Sequence, residues 1–274
     1  MKRTSRFNRP FLAKADLSDP YGESKALFYD LKYAHFRAYA LETKTLNRLF
    51  GDCCHEKSIL EIGCGTGSYL CEFHKLGWLV AGIDRSEHMV HCAEQKLQRC
   101  GCTTAELFVM DFLSDNARIQ DKKYAASILL YYFLQHAPDY LAAATLLTKL
   151  RQSLLPKGSV VFEVVNEEVY AKKRASSRIG EVYELQCEPY TVRCFARSYY
   201  ENNFKVVVLY FTIETPEGPL VHIDRHRLRV FSYHQLQNLC REAGLQVVDV
   251  YGAYDLSPFD IQTSDLAIFH CRVK

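Results

Sequence analysis

The stretch of residues 58–89 limits what this chain can fold into more than any other part of its sequence. An apolar run at residues 59–62, typical of a buried parallel strand, ends abruptly at the sequence Gly-Cys-Gly-Thr-Gly of residues 63–67. Apolar residues then recur at helical spacing until Gly77, and a second apolar run leads to Asp84. The order strand, glycine turn, helix, strand and acid predicts the first part of an open α/β sheet.

The three glycines of this turn, Gly63, Gly65 and Gly67, let the backbone bend sharply and approach a ligand closely, because no Cβ stands in the way. Asp84, at the carboxyl end of the next predicted strand, can accept both hydroxyls of a ribose. These features predict a nucleoside ligand, and the alternative is a glycine turn without any ligand. The dinucleotide fingerprint requires a glycine where this chain has Ser68, so NAD and FAD are disfavoured.

The sequences Glu61-Ile-Gly-Cys-Gly-Thr-Gly67 and Gly82-Ile-Asp84-Arg-Ser-Glu-His-Met89 resemble motif I and the second-strand acid of the class I S-adenosylmethionine-dependent methyltransferases. The resemblance covers about residues 25–165 and 231–274. It implies an α/β fold with a Rossmann-like, doubly wound seven-stranded sheet whose last strand is antiparallel, with S-adenosylmethionine (SAM) as the cofactor and methyl transfer as the activity. The residues predicted to bind the cofactor are Tyr29, Tyr33, Arg37, Glu61, Gly63, Cys64, Gly65, Gly67, Asp84, Arg85, Met89, Asp111, Phe112 and Leu130.

A third predicted strand, residues 106–109, is followed directly by Asp111 and Phe112. Ligands of open α/β sheets bind at the carboxyl ends of the strands. We therefore expect Asp111 to bond the adenine amino group and Phe112 to flank the adenine ring. The alternative is that Asp111 serves as a helix cap or as a hydrogen-bond partner within its loop.

Helical spacing of apolar residues between positions 24 and 50 predicts one or two helices ahead of the glycine turn. Tyr29, Tyr33 and Arg37 follow one another at intervals of four, so on a helix they share roughly one face. From the residues alone, a helix surface on which these side chains pack is the simpler interpretation. The Tyr-Asp-x-x-Tyr segment resembles the N-terminal lid of glycine and deoxyaminosugar N-methyltransferases, which implies that such residues close over the sulfonium and the methionine carboxylate.

Three side chains are candidates for a catalytic proton acceptor. His136 ends a polar and aromatic segment that follows the fourth predicted strand, and Tyr131 begins that segment. Tyr33 joins them from the predicted lid, and His222 and His226 are more distant candidates. A base is needed for a hydroxyl or an ammonium acceptor but not for a free amine. The alternative for His136 is a polar residue that is satisfied by its surroundings.

Between residues 166 and 230 the sequence changes to runs of period two separated by turns, which predicts an inserted antiparallel sheet. Alternation along its last strand places three arginines on one face, and His222, Asp224 and His226 on the other. The arginines are predicted either to pair with carboxylates on neighbouring strands or to hold an anionic substrate. The candidate substrate-binding residues are Tyr132, Asn166, Arg225, Arg227 and Arg229.

Composition indicates which partners and which cell compartment to expect for this chain. A formal net charge of +2 is near neutral, so no global field favours nucleic acid or an anionic membrane as a partner, and we do not expect nucleic acid. Without an apolar run near the roughly 20 residues of a membrane span, or an apolar signal core, we expect a cytoplasmic protein with no membrane partner. The 11 cysteines are then expected to be reduced, and spacings such as Cys53-Cys54 and Cys100-x-Cys102 do not predict a metal site.

The chain is predicted to contain four segments. They are an N-terminal arm with lid helices at residues 1–50, the SAM-binding core at 51–165, the β insertion at 166–230, and a C-terminal helix with two strands that complete the core sheet at 231–274.

Two classes of function remain open from the sequence. The first is an enzyme that transfers a methyl group from SAM to a nitrogen or oxygen atom of a small molecule, with anionic metabolites among the candidates. The second is a catalytically silent SAM-binding scaffold, or a partner subunit, that uses the insertion as an interface. In either class the insertion is also a candidate surface for a homodimer. Methylation of a macromolecule is a weaker interpretation, because the sequence Asn-Pro-Pro-Tyr typical of enzymes acting on planar amines is absent.

Overall fold

The computed structural model of the chain describes residues 15–16, 21–51, 56–114, 116–119, 122–172 and 180–274. The adjacent cysteines Cys53 and Cys54 lie outside these residues. Two β-sheets and the helices that cover them make up the described part of the chain.

The strands are β1 (Ala15–Asp16), β2 (Ser58–Ile62), β3 (Leu79–Asp84), β4 (Glu106–Val109), β5 (Tyr124–Leu129), β6 (Leu154–Val165), β7 (Gly180–Cys187), β8 (Tyr190–Glu201), β9 (Phe204–Thr215), β10 (Gly218–Arg229), β11 (Leu245–Tyr251) and β12 (Leu266–Val273). The helices are α1 (Glu23–Leu27), α2 (Tyr29–Tyr33), α3 (Tyr39–Gly51), α4 (Ser68–Lys75), α5 (Glu87–Arg99), α6 (Tyr140–Gln152), α7 (Glu167–Lys172) and α8 (Tyr233–Glu242), with a 3₁₀ turn at Phe133–His136.

The larger sheet has seven strands in the order β11-β12-β6-β5-β2-β3-β4. Strands β2 to β6 are parallel to one another, whereas β12 is antiparallel to β6 and to β11. This arrangement confirms the predicted doubly wound seven-stranded sheet with an antiparallel last strand. The strand order reverses direction between β2 and β5, and their carboxyl ends therefore open a crevice at that point.

The local sequence explains why these elements form. Every residue of β5 is buried, as expected for a parallel strand that is covered by helices on both faces. The Ser86 hydroxyl caps α5 by accepting from the Met89 amide, and Ser232 and Gln235 form the capping box predicted for α8. The fifth core strand begins earlier than its predicted start at Ser159, because the chain already pairs with β5 from Leu154 onward.

The smaller sheet has the order β1-β10-β9-β8-β7 and contains two strands that the period-two pattern did not indicate. In β7 the pairing register with β8 shifts between Glu181 and Tyr183, so a bulge interrupts the alternation. Strand β1 is two residues long, too short for a pattern, and it pairs in parallel with Val221 and His222 of β10.

The segment ahead of the glycine turn differs from the predicted helices. It forms α1, α2 and α3, and the chain turns after Tyr33, where the Phe36 amide bonds the Tyr33 carbonyl. Arg37 therefore lies beyond the helix that carries Tyr29 and Tyr33, and the three residues do not share one helical face. The tertiary reason is that Arg37 reaches Glu163 on β6, with which it forms a buried ion pair.

Among the residues that the structure describes, no helix has both the length and the apolar composition of a membrane span.

Candidate active site

A cavity opens where β2, β3, β4 and β5 end at their carboxyl sides, under the second helix of the segment ahead of the core. It gathers most of the side chains that the sequence indicated. The predicted residues that line it are Tyr29, Glu61, Gly63, Cys64, Gly65, Asp84, Arg85, Met89, Asp111, Phe112, Leu130, Tyr131 and His136. Those that do not line it are Tyr33, Arg37, Gly67, Tyr132, Asn166, Arg225, Arg227 and Arg229.

The glycine turn forms one wall of the cavity, and each of its three glycines has a positive φ. A Cβ on Gly63 would lie 2.4 Å from the Phe133 ring, and a Cβ on Gly67 would lie 3.0 Å from the Cβ of Ala93. Gly63 and Gly67 are therefore required by packing as well as by backbone conformation. Gly67, predicted to bind the cofactor, contacts helix α5 instead of lining the cavity.

Asp84 lies at the carboxyl end of β3, beside the end of β2, and holds the turn in place. One carboxylate oxygen accepts a hydrogen bond from the Gly65 amide at 2.9 Å, and the other accepts from the Ser86 amide at 2.9 Å. Burial raises the pKa of Asp84, while these two backbone hydrogen bonds oppose the shift. Each oxygen keeps a further lone pair for a donor in the cavity, which fits a pair of ribose hydroxyls.

Glu61 is the second acid on this wall, and its side chain is almost fully buried. Its Oε2 atom has no hydrogen-bond partner among the residues that the structure describes. Burial raises the pKa of Glu61 well above its usual value, and the neighbouring charge of Asp84 adds to the effect. A buried carboxyl oxygen without a partner, facing a cavity, fits a ligand that brings a cationic donor such as an ammonium group.

Asp111 and Phe112 lie where the sequence predicted them, after β4. The Asp111 carboxylate accepts a hydrogen bond from the Leu113 amide at 3.0 Å, and its carbonyl accepts from the Ser114 amide. The loop role that the sequence left open is thus present beside the position on the cavity wall. Phe112 is buried, with Lys149 stacked over its ring at 5.1 Å.

Asp30 is a residue of this site that sequence reasoning missed. Its carboxylate accepts a hydrogen bond from the Thr66 hydroxyl at 2.5 Å and pairs with the Lys96 ammonium at 2.6 Å. Helix α2 is thereby tied to the glycine turn, and the Tyr29 ring is held 3.9 Å from the place of a Cβ on Gly65. The available signal was the acid between the two tyrosines of the Tyr-Asp-x-x-Tyr segment.

Two residues predicted to close over the cofactor point elsewhere. The Tyr33 hydroxyl bonds Asp224 at 3.1 Å on the insertion, although its ring stacks on Tyr29 at 4.5 Å. Arg37 binds Glu163 and Glu42, and its guanidinium lies 4.1 Å from the centre of the Tyr131 ring. Two buried carboxylates thus hold this cation, and the contact of Arg37 with a ligand carboxylate stays a prediction.

The three predicted proton acceptors differ in what they can do. Burial raises the pKa of Tyr33 and of Tyr131 well above the usual range, so both hydroxyls stay protonated at neutral pH. Burial lowers the pKa of His136 to about 4, and electrostatic interactions with His226 and Arg85 lower it further. His136 is therefore a neutral imidazole at pH 7, with a ring nitrogen that can accept a proton.

Tyr132 and Asn166 support loops around the site. Tyr132 has a φ of 60° and follows Tyr131, whose φ is 52° and whose amide donates to Glu163 at 2.7 Å. The Asn166 amide nitrogen donates to the carbonyls of Ile261 at 2.9 Å and Ser264 at 2.8 Å. Their placement beside the cavity rather than on its wall differs from the predicted substrate contact.

The three arginines of β10 lie on the outer face of the smaller sheet, away from the cavity. Arg225 approaches Glu201 at 3.8 Å, Arg227 stacks 3.6 Å from the centre of the Phe204 ring, and Arg229 donates to the Pro138 carbonyl. The predicted alternation is present, but the face with His222, Asp224 and His226 is the one turned inward. Of the two uses predicted for these arginines, an approach to a carboxylate of the same sheet is present at Arg225, whereas none of the three lines the cavity and the hold on an anionic substrate stays a prediction.

Comparisons with known proteins agree with this geometry. A family model described as a methyltransferase domain matches residues 33–250. A ubiquinone biosynthesis O-methyltransferase of Pasteurella multocida is 26% identical over 140 residues, which cover 48% of this chain and 55% of that protein. The chain thus spans about half the length of the curated relatives it matches.

Solved structures extend the likeness to almost the whole chain. DesVI of Streptomyces venezuelae has a TM-score of 0.75 at 22% identity, with 91% of this chain and 98% of that chain covered. A SAM-dependent methyltransferase of Clostridium acetobutylicum has a TM-score of 0.76 at 14% identity, with 91% and 98% covered. At such low identity these likenesses establish the fold. Together with the family model, which matches most of the chain, they confirm the resemblance drawn from motif I: the chain belongs to the methyltransferase family.

Proposed function

We propose that this chain binds SAM in the cavity and transfers its methyl group to a nitrogen atom of a small molecule. One observation carries the proposal: a single cavity joins the glycine turn, Asp84 and the unpartnered oxygen of Glu61 to the neutral imidazole of His136. The first group of side chains suits a nucleoside with an ammonium group, and His136 suits an acceptor that must lose a proton.

Each part of SAM has a counterpart among the residues present. Asp84 would hold the ribose hydroxyls, Glu61 the methionine ammonium, and Asp111 with Phe112 the adenine. Bound SAM supplies a methyl group that is activated by a positive sulfonium. The chain's own contribution is to place an acceptor in line with that group and to keep water out, because displacement on so activated a donor depends mainly on position.

A nitrogen acceptor is favoured by the electrostatics near His136. The burial and neighbouring charges that keep this histidine neutral also disfavour an ammonium at the same place, so an amine would bind there as its nucleophilic free base. CalS10, described as an amino pentose methyltransferase, and KedS8, described as a sugar N-methyltransferase, share the fold with TM-scores of 0.72. Both relatives support an amine on a sugar-sized molecule as the first class to test.

An oxygen acceptor is the second candidate, because the matched Pasteurella relative is an O-methyltransferase. His136 would then serve as the base that a hydroxyl requires. If the acceptor is anionic, Arg85 is the cation on the cavity wall that would meet it, in place of the three arginines of β10.

Turnover tests this proposal directly. Conversion of SAM to S-adenosylhomocysteine would be measured with a panel of amino sugars and a matched panel of phenols, for wild type, His136→Gln and Arg225→Gln. We expect turnover with amines, a large loss in His136→Gln, and no loss in Arg225→Gln, which lies on the outer face. Tight SAM binding without turnover on either panel would instead support the silent scaffold.

The outer face of the smaller sheet is our proposed contact with a second copy of the chain. Phe195 pairs with Tyr210 there, and Tyr199 and Phe204 lie beside them, all half-exposed. Aromatic residues are enriched in the cores of interfaces. Sedimentation velocity should show a dimer that Phe195→Glu dissociates, and a wild-type monomer at micromolar concentration would contradict the contact.

A further inference from the structure

A chain of buried polar groups runs behind His136, from the insertion to the segment ahead of the core. It starts at Asp224 on β10, whose side chain is fully buried. The Asp224 carboxylate accepts from the Lys32 ammonium at 2.8 Å and from the Tyr33 hydroxyl at 3.1 Å. The Tyr33 oxygen also lies 3.1 Å from Nε2 of His226. None of the groups on β10 is used by the proposed function.

These contacts determine which nitrogen of His226 carries its proton. A carboxylate between two lysines, Lys25 and Lys32, can only accept, so the Tyr33 hydroxyl donates its hydrogen to Asp224. The Tyr33 oxygen is then an acceptor for His226, and Nε2 must be the nitrogen that donates. Nδ1 of His226 is then the unprotonated nitrogen, and its lone pair can accept a proton.

His226 is also close to the cavity. Its ring centre lies 6.3 Å from that of His136 and 6.3 Å from that of Tyr21, and both of these rings line the cavity wall. The His226 ring thus lies behind two side chains of the cavity wall.

We propose that His226 is a second proton acceptor, which takes the acceptor's proton from His136 and is held in the required tautomer by the positioning residues Tyr33 and Asp224. This inference rests on the proposed methyl transfer and deepens it. It explains why a buried acid, a tyrosine and a histidine from distant parts of the chain meet behind the cavity.

The proton balance of the reaction gives this arrangement a task. The acceptor nitrogen takes the methyl group with its lone pair, the electron pair of the broken carbon–sulfur bond stays on sulfur, and the nitrogen then carries one proton too many. That proton passes to His136 and then, through a bridging water because the two ring centres are 6.3 Å apart, to Nδ1 of His226, from which it leaves to bulk water. No oxidant, reductant or further reactant is needed.

The surroundings of His226 keep its imidazole neutral, so that it can accept a proton. Burial lowers its pKa, the negative charge of Asp224 opposes this shift, and the positive charges of Lys32 and Lys25 add to it. Tyr33, Tyr21 and His136 complete its surroundings, and burial keeps Tyr33 and His136 uncharged at neutral pH. His226 is therefore neutral at pH 7, as a group that takes up a proton during turnover must be.

The first experiment measures the tautomer without any turnover. Nitrogen NMR of the full chain with labelled histidine and bound S-adenosylhomocysteine, assigned with His226→Gln, should show His226 protonated at Nε2. Tyr33→Phe should abolish this preference and give a mixture of tautomers. Identical His226 shifts in wild type and Tyr33→Phe, or protonation at Nδ1 in wild type, would overturn the proposed tautomer control.

The second experiment measures the proton transfer. In His226→Gln the amide can still donate to Tyr33, so folding and SAM affinity should be unchanged, but the side chain cannot take up a proton. With the best amine of the panel we expect kcat to fall about tenfold to a hundredfold. This loss is at or below the smallest rate contribution that is usual for a positioned proton acceptor. The deficit should shrink above pH 8, where hydroxide can remove the proton.

The matched control is Arg225→Gln, which lies next to His226 in sequence but on the opposite face of β10, and which should keep wild-type kcat. A His226→Gln variant with wild-type kcat and an unchanged pH profile, in an active enzyme, would overturn the relay alone. A wild-type chain that turns over no acceptor would overturn the proposed function and the relay with it.

Discussion

Among single residues, Asp84 combines two tasks that sequence analysis could not separate. It accepts hydrogen bonds from the Gly65 amide of the turn and from the Ser86 amide that follows β3, and it faces the cavity with lone pairs to spare. Replacement by alanine would remove both. An asparagine side chain would keep a similar shape, so Asp84→Asn is the cleaner test of the ligand contact.

We expect Asp84→Asn to weaken SAM binding by about 1.5–3 kcal/mol, because it loses charge-assisted hydrogen bonds to the ribose. Isothermal titration calorimetry measures the loss, and Asp249→Asn, exposed on the edge strand β11, is the control that should bind normally. Equal affinities for Asp84→Asn and wild type would rule out the ribose assignment.

The raised pKa of Glu61 predicts how the stability of the folded chain depends on pH. Because its pKa is raised in the folded state, the folded chain holds this proton more tightly than the unfolded chain. The associated stability is fully present below the ordinary glutamate pKa of about 4.3 and is lost as the pH rises through the raised value. Without ligand, wild type should therefore lose stability relative to Glu61→Gln between pH 5 and pH 8.

Urea unfolding of both proteins at pH 5, 6.5 and 8 checks this prediction. Added SAM should make wild type more stable than Glu61→Gln at pH 8. The SAM ammonium gives the ionised Glu61 carboxylate a partner, whereas the glutamine of the variant binds an ammonium less strongly. A stability difference between the two proteins that does not change with pH would show that burial does not raise the pKa of Glu61.

Among the elements, helix α2 couples the two sheets. On one side Asp30 binds the glycine turn and Lys96 of α5, and on the other side Lys32 and Tyr33 bind Asp224 of β10. A helix of five residues has little stability of its own. Its order therefore depends on these contacts, which is what a lid that responds to a ligand requires.

We expect Asp30→Asn to speed amide hydrogen exchange across residues 23–33 and to weaken SAM binding by about 0.5–1 kcal/mol, the range of a partly exposed ion pair. Glu23→Gln on the exposed side of α1 is the control and should change neither quantity. In wild type, SAM should slow exchange in the same segment. Equal exchange with and without SAM would contradict the lid.

For the whole molecule, buried histidines predict sensitivity to acid. Burial lowers the pKa of both His136 and His270 to about 4, whereas the unfolded chain titrates near 6.5. As the pH falls from 6.5 to 4, the unfolded state takes up protons that the folded state refuses, so the free energy of unfolding must decrease. Above pH 6.5 these groups have no effect.

Each histidine can account for about 3 kcal/mol of that decrease, at 1.36 kcal/mol per pKa unit. Replacing both by glutamine should make the urea midpoint less dependent on pH between 7 and 4.5, and the exposed His91→Gln is the control. The same acid sensitivity in wild type and in the double variant would mean that other groups dominate acid unfolding.

Local spacing in the chain was enough to predict the core of this protein. The glycines of residues 63–67 and the acid at Asp84 are close in sequence, and the backbone of one β-α-β unit brings them together whatever the rest of the chain does. The same holds for the cap at Ser86 and for the strand pattern that predicted the seven-stranded sheet.

Contacts between distant segments were decided by the tertiary structure. Period two separates the arginines of β10 from Asp224 and His226, but it does not say which face is covered, and packing of the α1–α2 segment decided that. Arg37 follows Tyr33 by four residues, as a shared helical face requires, but the helix ends before it and its side chain pairs with Glu163. Leaving the buried Glu163 carboxylate unpaired would cost more free energy than ending a short helix.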